Sequence, residues 1–242
     1  MKQNKYDDQV FFEKYSLMDR STQGLAGAGE WPALRAMLPD FTGRRVLDLG
    51  CGFGWHCQYA LDNGAESATG VDISQKMLAE GERRFPRVNF ILSPVEDINF
   101  PEDSFEVVLS SLAFHYIKSF GDICAKVRRC LSPGGVFVFS AEHPVFTAQG
   151  PQQWAEDEAG RRRHWPVDNY FDQGPRQAVF LGERVLKYHR TVAAYISALL
   201  ENGFEITGLK EPTPDDDLRQ RFPDMRDEMR RPMMILISAV LR

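Results

Sequence analysis

Three glycines at alternate positions, Gly50, Gly52 and Gly54, follow directly on the apolar run Val46-Leu47-Asp48-Leu49. Glycines so placed let a ligand approach the backbone and permit positive φ, and the helix that follows offers free N–H groups. Such a turn after a first strand suits a nucleotide-like cofactor, although a tight strand-to-helix turn can need glycine for steric reasons alone. About twenty residues on, Gly70-Val71-Asp72 ends what reads as the next strand. A carboxylate there can accept hydrogen bonds from both hydroxyls of a ribose; its other use is to cap a helix beginning near Ser74. Dinucleotide sites carry G-x-G-x-x-G, and the position of the third glycine is Trp55 here, which argues against a pyrophosphate at this turn.

His115 follows the fourth predicted strand and His143 the fifth. Both stand at carboxyl ends, where ligands sit in an open α/β sheet, and both are candidates for a general base or a substrate contact. A hydrogen-bonded loop histidine is the alternative for each, and Glu142 is placed to orient His143. Tyr188-His189-Arg190 and Arg20 are weaker candidates, Arg20 for a cofactor carboxylate. None of the five histidines shows zinc-ligand spacing or an H-E-x-x-H pattern, so no metal is expected. Arg161-Arg162-Arg163-His164-Trp165 combines basic charge with an aromatic ring and could hold RNA or an acidic substrate; a solvated loop face is the simpler account.

These residues need a scaffold that brings strand ends together. From Arg44 onward, short β-branched or aromatic runs alternate with helical patterns, the signature of a parallel sheet covered by crossover helices. Strands are predicted at Arg44–Leu49, Ser67–Asp72, Val88–Leu92, Phe105–Ser110 and Val136–Glu142. Helices are predicted at Trp55–Asn63, at Gln75–Phe85 with Ser74 as N-cap, and at Phe120–Leu131, the last closed by the turn Ser132-Pro133-Gly134-Gly135. The expected fold is α/β, a doubly wound and mostly parallel seven-stranded sheet. Within one domain, 1–42 forms a helical cover, 43–142 the cofactor-binding half, 143–190 an insertion or substrate lid, and 191–242 a helix with a closing antiparallel strand pair.

With 242 residues, 43% of them hydrophobic and 26% charged, the chain is an ordinary globular sequence. A net charge of −5 provides no global attraction for nucleic acid or an anionic membrane. Apolar runs such as Met233–Ile237 are far shorter than a membrane span, and Met1–Lys14 is too polar for a secretory signal. Four cysteines without a CxxC pair read as free thiols in a reducing, cytoplasmic setting.

The segment Asp48-Leu49-Gly50-Cys51-Gly52-Phe53-Gly54 resembles motif I of the class I S-adenosylmethionine-dependent methyltransferases. The likeness extends to Val71-Asp72-Ile73-Ser74 with Met77-Leu78, to the segment from Val95-Glu96-Asp97 into the fourth strand, to Ser110–Tyr116, and to Leu131–Gly135. It covers roughly 44–142, and the subgroup it is most similar to is methyltransferase type 11, whose acceptors are small molecules. The resemblance implies a Rossmann-like fold, S-adenosylmethionine as methyl donor and S-adenosylhomocysteine as product. It also implies donor contacts at Asp48, Gly50, Cys51, Gly52, Asp72, Ile73, Met77, Val95, Glu96 and Ser110. Pro94 departs from the acidic residue that many relatives carry just before the adenine loop. The expected function is methyl transfer to an O, N or C nucleophile of a small metabolite. An NAD-type oxidoreductase and a non-catalytic cofactor-binding protein are the alternatives. The acceptor, the need for a base and the oligomeric state are not legible in the motifs.

Overall fold

The computed structural model describes all residues except Met1, Asp215 and Phe222. Five strands, β1 (Arg45–Leu49), β2 (Ser67–Asp72), β3 (Asn89–Leu92), β4 (Phe105–Ser111) and β5 (Leu131–Glu142), carry the parallel part of the sheet. Two small antiparallel hairpins follow, β6 (Ala155–Glu156) with β7 (Arg162–His164), and β8 (Gly174–Phe180) with β9 (Glu183–His189). The chain then returns to the main sheet through the antiparallel strands β10 (Phe204–Lys210) and β11 (Met234–Leu241). The seven-stranded order is β10-β11-β5-β4-β1-β2-β3. From β1 the chain winds outward to β3 and then returns to the other side of β1 as β4. A crevice therefore opens between the carboxyl ends of β1 and β4, the switch point where such sheets bind ligands.

The helices are α1 (Gln9–Ser16), α2 (Asp19–Thr22), α3 (Trp31–Arg35), α4 (Trp55–Asp62), α5 (Gln75–Arg84), α6 (Phe120–Cys130), α7 (Pro144–Thr147), α8 (Val192–Glu201) and α9 (Asp216–Arg221). Strand alternation sorts the core onto two faces. Leu47, Leu49, Val108, Phe137 and Phe139 pack with Phe114, Phe120 and Tyr195 on the side of α6 and α8. Val46, Val107 and Leu109 pack with Phe41 and Ala60, and Val138 packs with Trp31 and Leu34, on the side of α3 and α4. Asp48 shares that second face, which turns its carboxylate toward α4. The four cysteines are free and buried, Cys57 in α4 and Cys124 and Cys130 in α6.

Ser74 caps α5 as expected, its hydroxyl accepting from Met77 N at 3.2 Å. The predicted turn at 132–135 lies inside β5, which begins at Leu131 and bulges: Phe105 pairs with Leu131, but Val107 pairs with Val136. The 143–190 segment, expected as an insertion or lid, contains a regular hairpin, β8–β9. On β9 the inward positions are Val185, Lys187 and His189, so alternation exists but two of its buried members are polar. The hairpin packs on the N-terminal segment: Phe11 of α1 meets Ala178 and Val185, Gln3 exchanges hydrogen bonds with the backbone of Leu186, and Lys14 donates to Leu181 O at 3.0 Å.

The basic run folds into local pairs. Arg162 reaches Asp224 and Asp227, and Trp165 stacks on Phe146, with the guanidinium of Arg231 4.1 Å from the Trp165 ring centre. No helix among the described residues is long and apolar enough to cross a membrane.

Candidate functional site

At the end of β1, Gly50 N and Cys51 N both donate to Val71 O, at 2.8 and 3.0 Å, which binds the glycine loop to β2. Gly50 has φ +75°, and a Cβ there would come within 2.5 Å of Ala113 Cβ, so glycine is required on both counts. Gly52, at φ +54°, is different: a Cβ there would meet nothing within 4 Å. Its open side is space left for a ligand. Gly52 N donates to Asp72 Oδ2 at 2.9 Å, and Asp72 Oδ1 accepts from Ser74 N at 2.9 Å. Asp72 thus shapes the loop and the start of α5 together. Burial pushes its carboxyl above the ordinary range, while the N–H groups of Ser74 and Gly52 pull it back.

The loop opens on a cavity of about 720 Å³. Of the residues singled out from the sequence, Arg20, Gly50, Cys51, Gly52, Asp72, Ile73, Met77, Val95, Glu96, His115, Glu142 and Tyr188 line it. Asp48, Ser110 and His143 are not in its wall. Asp48 is fully buried beneath the loop, its Oδ2 3.8 Å from Cys57 Sγ and 3.7 Å from His56 Nδ1, and burial pushes its carboxyl well up. Ser110 donates to Leu49 O at 2.6 Å and so fixes the end of β1 from behind. His143 is a correction to the strand-end argument. The chain turns into α7 at Pro144, so the imidazole Nδ1 accepts from Val145 N as the helix cap and Nε2 meets Glu211 Oε1 at 2.8 Å.

The N-terminal segment adds wall residues, of which the sequence argument singles out Arg20. Tyr6, Tyr15 and Arg20 line the cavity, and Arg20 pairs with the buried Glu30 at 2.5 Å. Glu30 also accepts from Ser111 Oγ at 2.9 Å, which ties this segment to the end of β4. Trp55 and His56, the first residues of α4, line the cavity as well, and Trp55 Nε1 and His56 Nε2 are buried without a hydrogen-bond partner. Orphaned polar atoms at a cavity wall are the sign of a site built for a polar ligand. Their position directly after the glycine loop is the signal that could have found them.

Burial lowers the His56 pKa from 6.5 to about 4, against the opposing pull of Glu30. Below pH 6.5 the unfolded chain binds a proton that folded His56 refuses until about 4, so this contribution to stability is lost as pH falls through that window. His56→Gln therefore makes unfolding free energy less steeply dependent on pH between 6.5 and 4 than in the wild type; equal slopes in urea titrations would exclude this role.

The arrangement can take an elongated ligand, with a diol at Asp72, a flat ring near Ile73, Met77 and Val95, and a zwitterionic end near the loop, Trp55, His56 and Arg20. A profile of the methyltransferase-domain family matches residues 47–139. A proposed S-adenosylmethionine-dependent methyltransferase from Listeria monocytogenes is 54% identical, with a TM-score of 0.83 over 89% of this chain and 99% of that one. An S-adenosylmethionine-dependent methyltransferase from Mesorhizobium loti is 44% identical, with a TM-score of 0.83 over 90% of this chain and all of that one. An uncharacterized protein of Haemophilus influenzae is 32% identical across 97% of this chain and 95% of its own length. With relatives at this identity over most of its length, the chain belongs to the S-adenosylmethionine-dependent methyltransferases.

Proposed function

We propose that the protein transfers a methyl group from S-adenosylmethionine to an O, N or C nucleophile of a small metabolite, with the donor held by Gly50, Cys51, Gly52, Asp72, Ile73, Met77, Val95 and Glu96. The observation that carries this reading is the single cavity that runs from the glycine loop to His115, Tyr116 and Tyr188. Its volume lies within the roughly 300–1,000 Å³ usual for small-molecule sites. Bound S-adenosylmethionine supplies an activated methyl on a sulfonium. What remains for the chain is to align the acceptor and exclude water. Arg20, beside Glu30, is available to the donor carboxylate, and Trp55 Nε1 to an acceptor atom at the same end. The N-terminal segment and the β8–β9 hairpin, which meet at Phe11, act as the lid. A small acceptor rather than nucleic acid agrees with the net charge of −5 and with the pairing of Arg162 to Asp224 and Asp227. A cytoplasmic site of action suits the four free thiols.

The test is thermal unfolding with S-adenosylhomocysteine, S-adenosylmethionine and NAD, followed by transfer of labelled methyl to an acceptor panel. Ligand at about 100 times its Kd adds roughly 2.7 kcal/mol, a rise on the order of 5–10 °C for a domain of this size. The two sulfur nucleotides should produce it and NAD should not. A response to NAD alone would return the oxidoreductase reading, and donor binding without turnover would favour a regulatory protein.

A further inference from the structure

His115 sits in the turn after β4, 3% exposed, with its ring against the cavity. Its Nδ1 accepts a hydrogen bond from the backbone N–H of Glu142 at 3.3 Å. A nitrogen that accepts from a backbone amide carries no proton, so in the neutral ring the proton is on Nε2. The nearest carboxylate oxygen to Nε2, Glu142 Oε1, is 3.9 Å away, beyond hydrogen-bond length. Burial, reinforced by Lys187, Arg190 and Arg20 and opposed by Glu142, holds the ring neutral, with its pKa near 4. His115 therefore offers the cavity a donor and no basic lone pair.

The neighbouring charges point the same way. Each oxygen of Glu142 already accepts a hydrogen bond, Oε1 from Lys187 Nζ at 2.5 Å and Oε2 from Gln152 Nε2 at 2.8 Å, so Lys187 offsets the charge of this carboxylate in the free protein. Arg190 is anchored to the carbonyls of Phe114 and Ile117 on either side of the His115 turn. The charges that act on His115 include Lys187, Arg190 and Arg20 on one side and Glu142 on the other, with Lys187 paired to Glu142 and Arg20 to Glu30, which leaves Arg190 held by carbonyls alone. The rest of this wall, including Tyr116, Phe180, Val185, Met233 and Met234, is largely apolar.

We propose, building on the methyltransferase reading, that the acceptor is a small, mainly apolar molecule presenting an already ionised oxygen, such as a carboxylate, and that His115 Nε2–H is the donor that binds it. The acceptor oxygen forms the new bond to the methyl carbon, the carbon–sulfur bond breaks with its electron pair left on sulfur, and the sulfonium and oxyanion charges cancel. No proton leaves the acceptor, so no base is required. A protonated amine at His115 would meet the Nε2 donor, and the carboxylate beside it, Glu142, is already paired with Lys187.

Two substitutions separate the ring nitrogens. His115→Asn keeps an acceptor near the Nδ1 position and removes the Nε2 donor; His115→Gln keeps an amide donor near Nε2. Proton–nitrogen spectra of ¹⁵N-histidine-labelled protein should show Nε2 protonated and Nδ1 bare from about pH 6 to 9. With benzoate and benzylamine as probes, added with and without S-adenosylhomocysteine, benzoate should bind at least tenfold more tightly and shift the His115 Nε2 signal. His115→Asn should weaken benzoate about tenfold, His115→Gln less than threefold, and neither should change S-adenosylhomocysteine affinity. A proton on Nδ1 at neutral pH, a preference for benzylamine, absence of benzoate binding, or full benzoate affinity in His115→Asn would each overturn the proposal. The tautomer is read on the ligand-free protein, so failure to bind S-adenosylhomocysteine would count against the methyltransferase reading and leave this one separately decided.

Discussion

Asp72→Ala lowers the affinity for S-adenosylhomocysteine by about 100-fold or more and abolishes the thermal stabilisation that the ligand gives. The carboxylate has two separate duties. It holds Gly52 N at 2.9 Å and so shapes the loop, and it holds Ser74 N at 2.9 Å at the start of α5. In the proposed complex its remaining lone pairs accept from the ribose hydroxyls. Hydrogen bonds to a charged group contribute about 1.5–3 kcal/mol each, and about 1.4 kcal/mol is tenfold in Kd, so two lost ribose contacts alone reach that size. The deformed loop adds to it. Calorimetric titration of wild type and variant measures the effect directly. A change of less than threefold would remove Asp72 from the donor site. Asp72→Asn, which keeps one acceptor and loses the charge, should fall between the two.

Phe139→Ala has the largest expected effect on stability, about 3–5 kcal/mol. Phe139 is fully buried at the centre of an aromatic cluster, with ring centres of Phe114, Phe120 and Phe137 at 5.3, 5.2 and 5.1 Å and Tyr195 at 6.0 Å. These rings join β5 to α6, α8 and the turn that carries His115, so they cannot collapse into the hole without moving the sheet or the helices. At about 2–4 °C per kcal/mol the midpoint falls by roughly 6–20 °C. Urea unfolding should show a lower midpoint at an unchanged slope. A loss below about 1 kcal/mol would mean that the cluster relaxes freely. The ring is not in the cavity wall, so donor affinity of the folded variant should match the wild type.

The parallel half of the sheet was legible because each strand is a short apolar run bounded by turn residues, and the ends of β2 and the start of α4 agree with the residues expected. The β8–β9 hairpin was not, since Lys187 and His189 occupy inward positions that hydrophobic alternation passes over. The donor loop and Asp72 could be found from local spacing. Tyr6, Tyr15 and Glu30 could not, because contacts such as Glu30 with Ser111 join segments whose proximity no local pattern encodes. Three expected residues lie outside the cavity wall for a geometric reason. Asp48 alternates onto the α4 face, Ser110 turns to the carbonyl of Leu49, and His143 is consumed by the cap of α7. The strand-end rule locates the region of a site, while the next few backbone angles decide which side chains enter it.

The burial of every cysteine provides the molecule with internal clocks. All four thiols are pushed above their ordinary pKa by burial, so thiolate is scarce and a thiol reagent reacts only when the chain opens. Cys124 and Cys130, packed in the core of α6, time the rupture of the sheet–helix interface. Cys51, in the cavity wall, reports on access to the glycine loop, and a bound donor should slow its reaction while leaving intrinsic thiol reactivity unchanged.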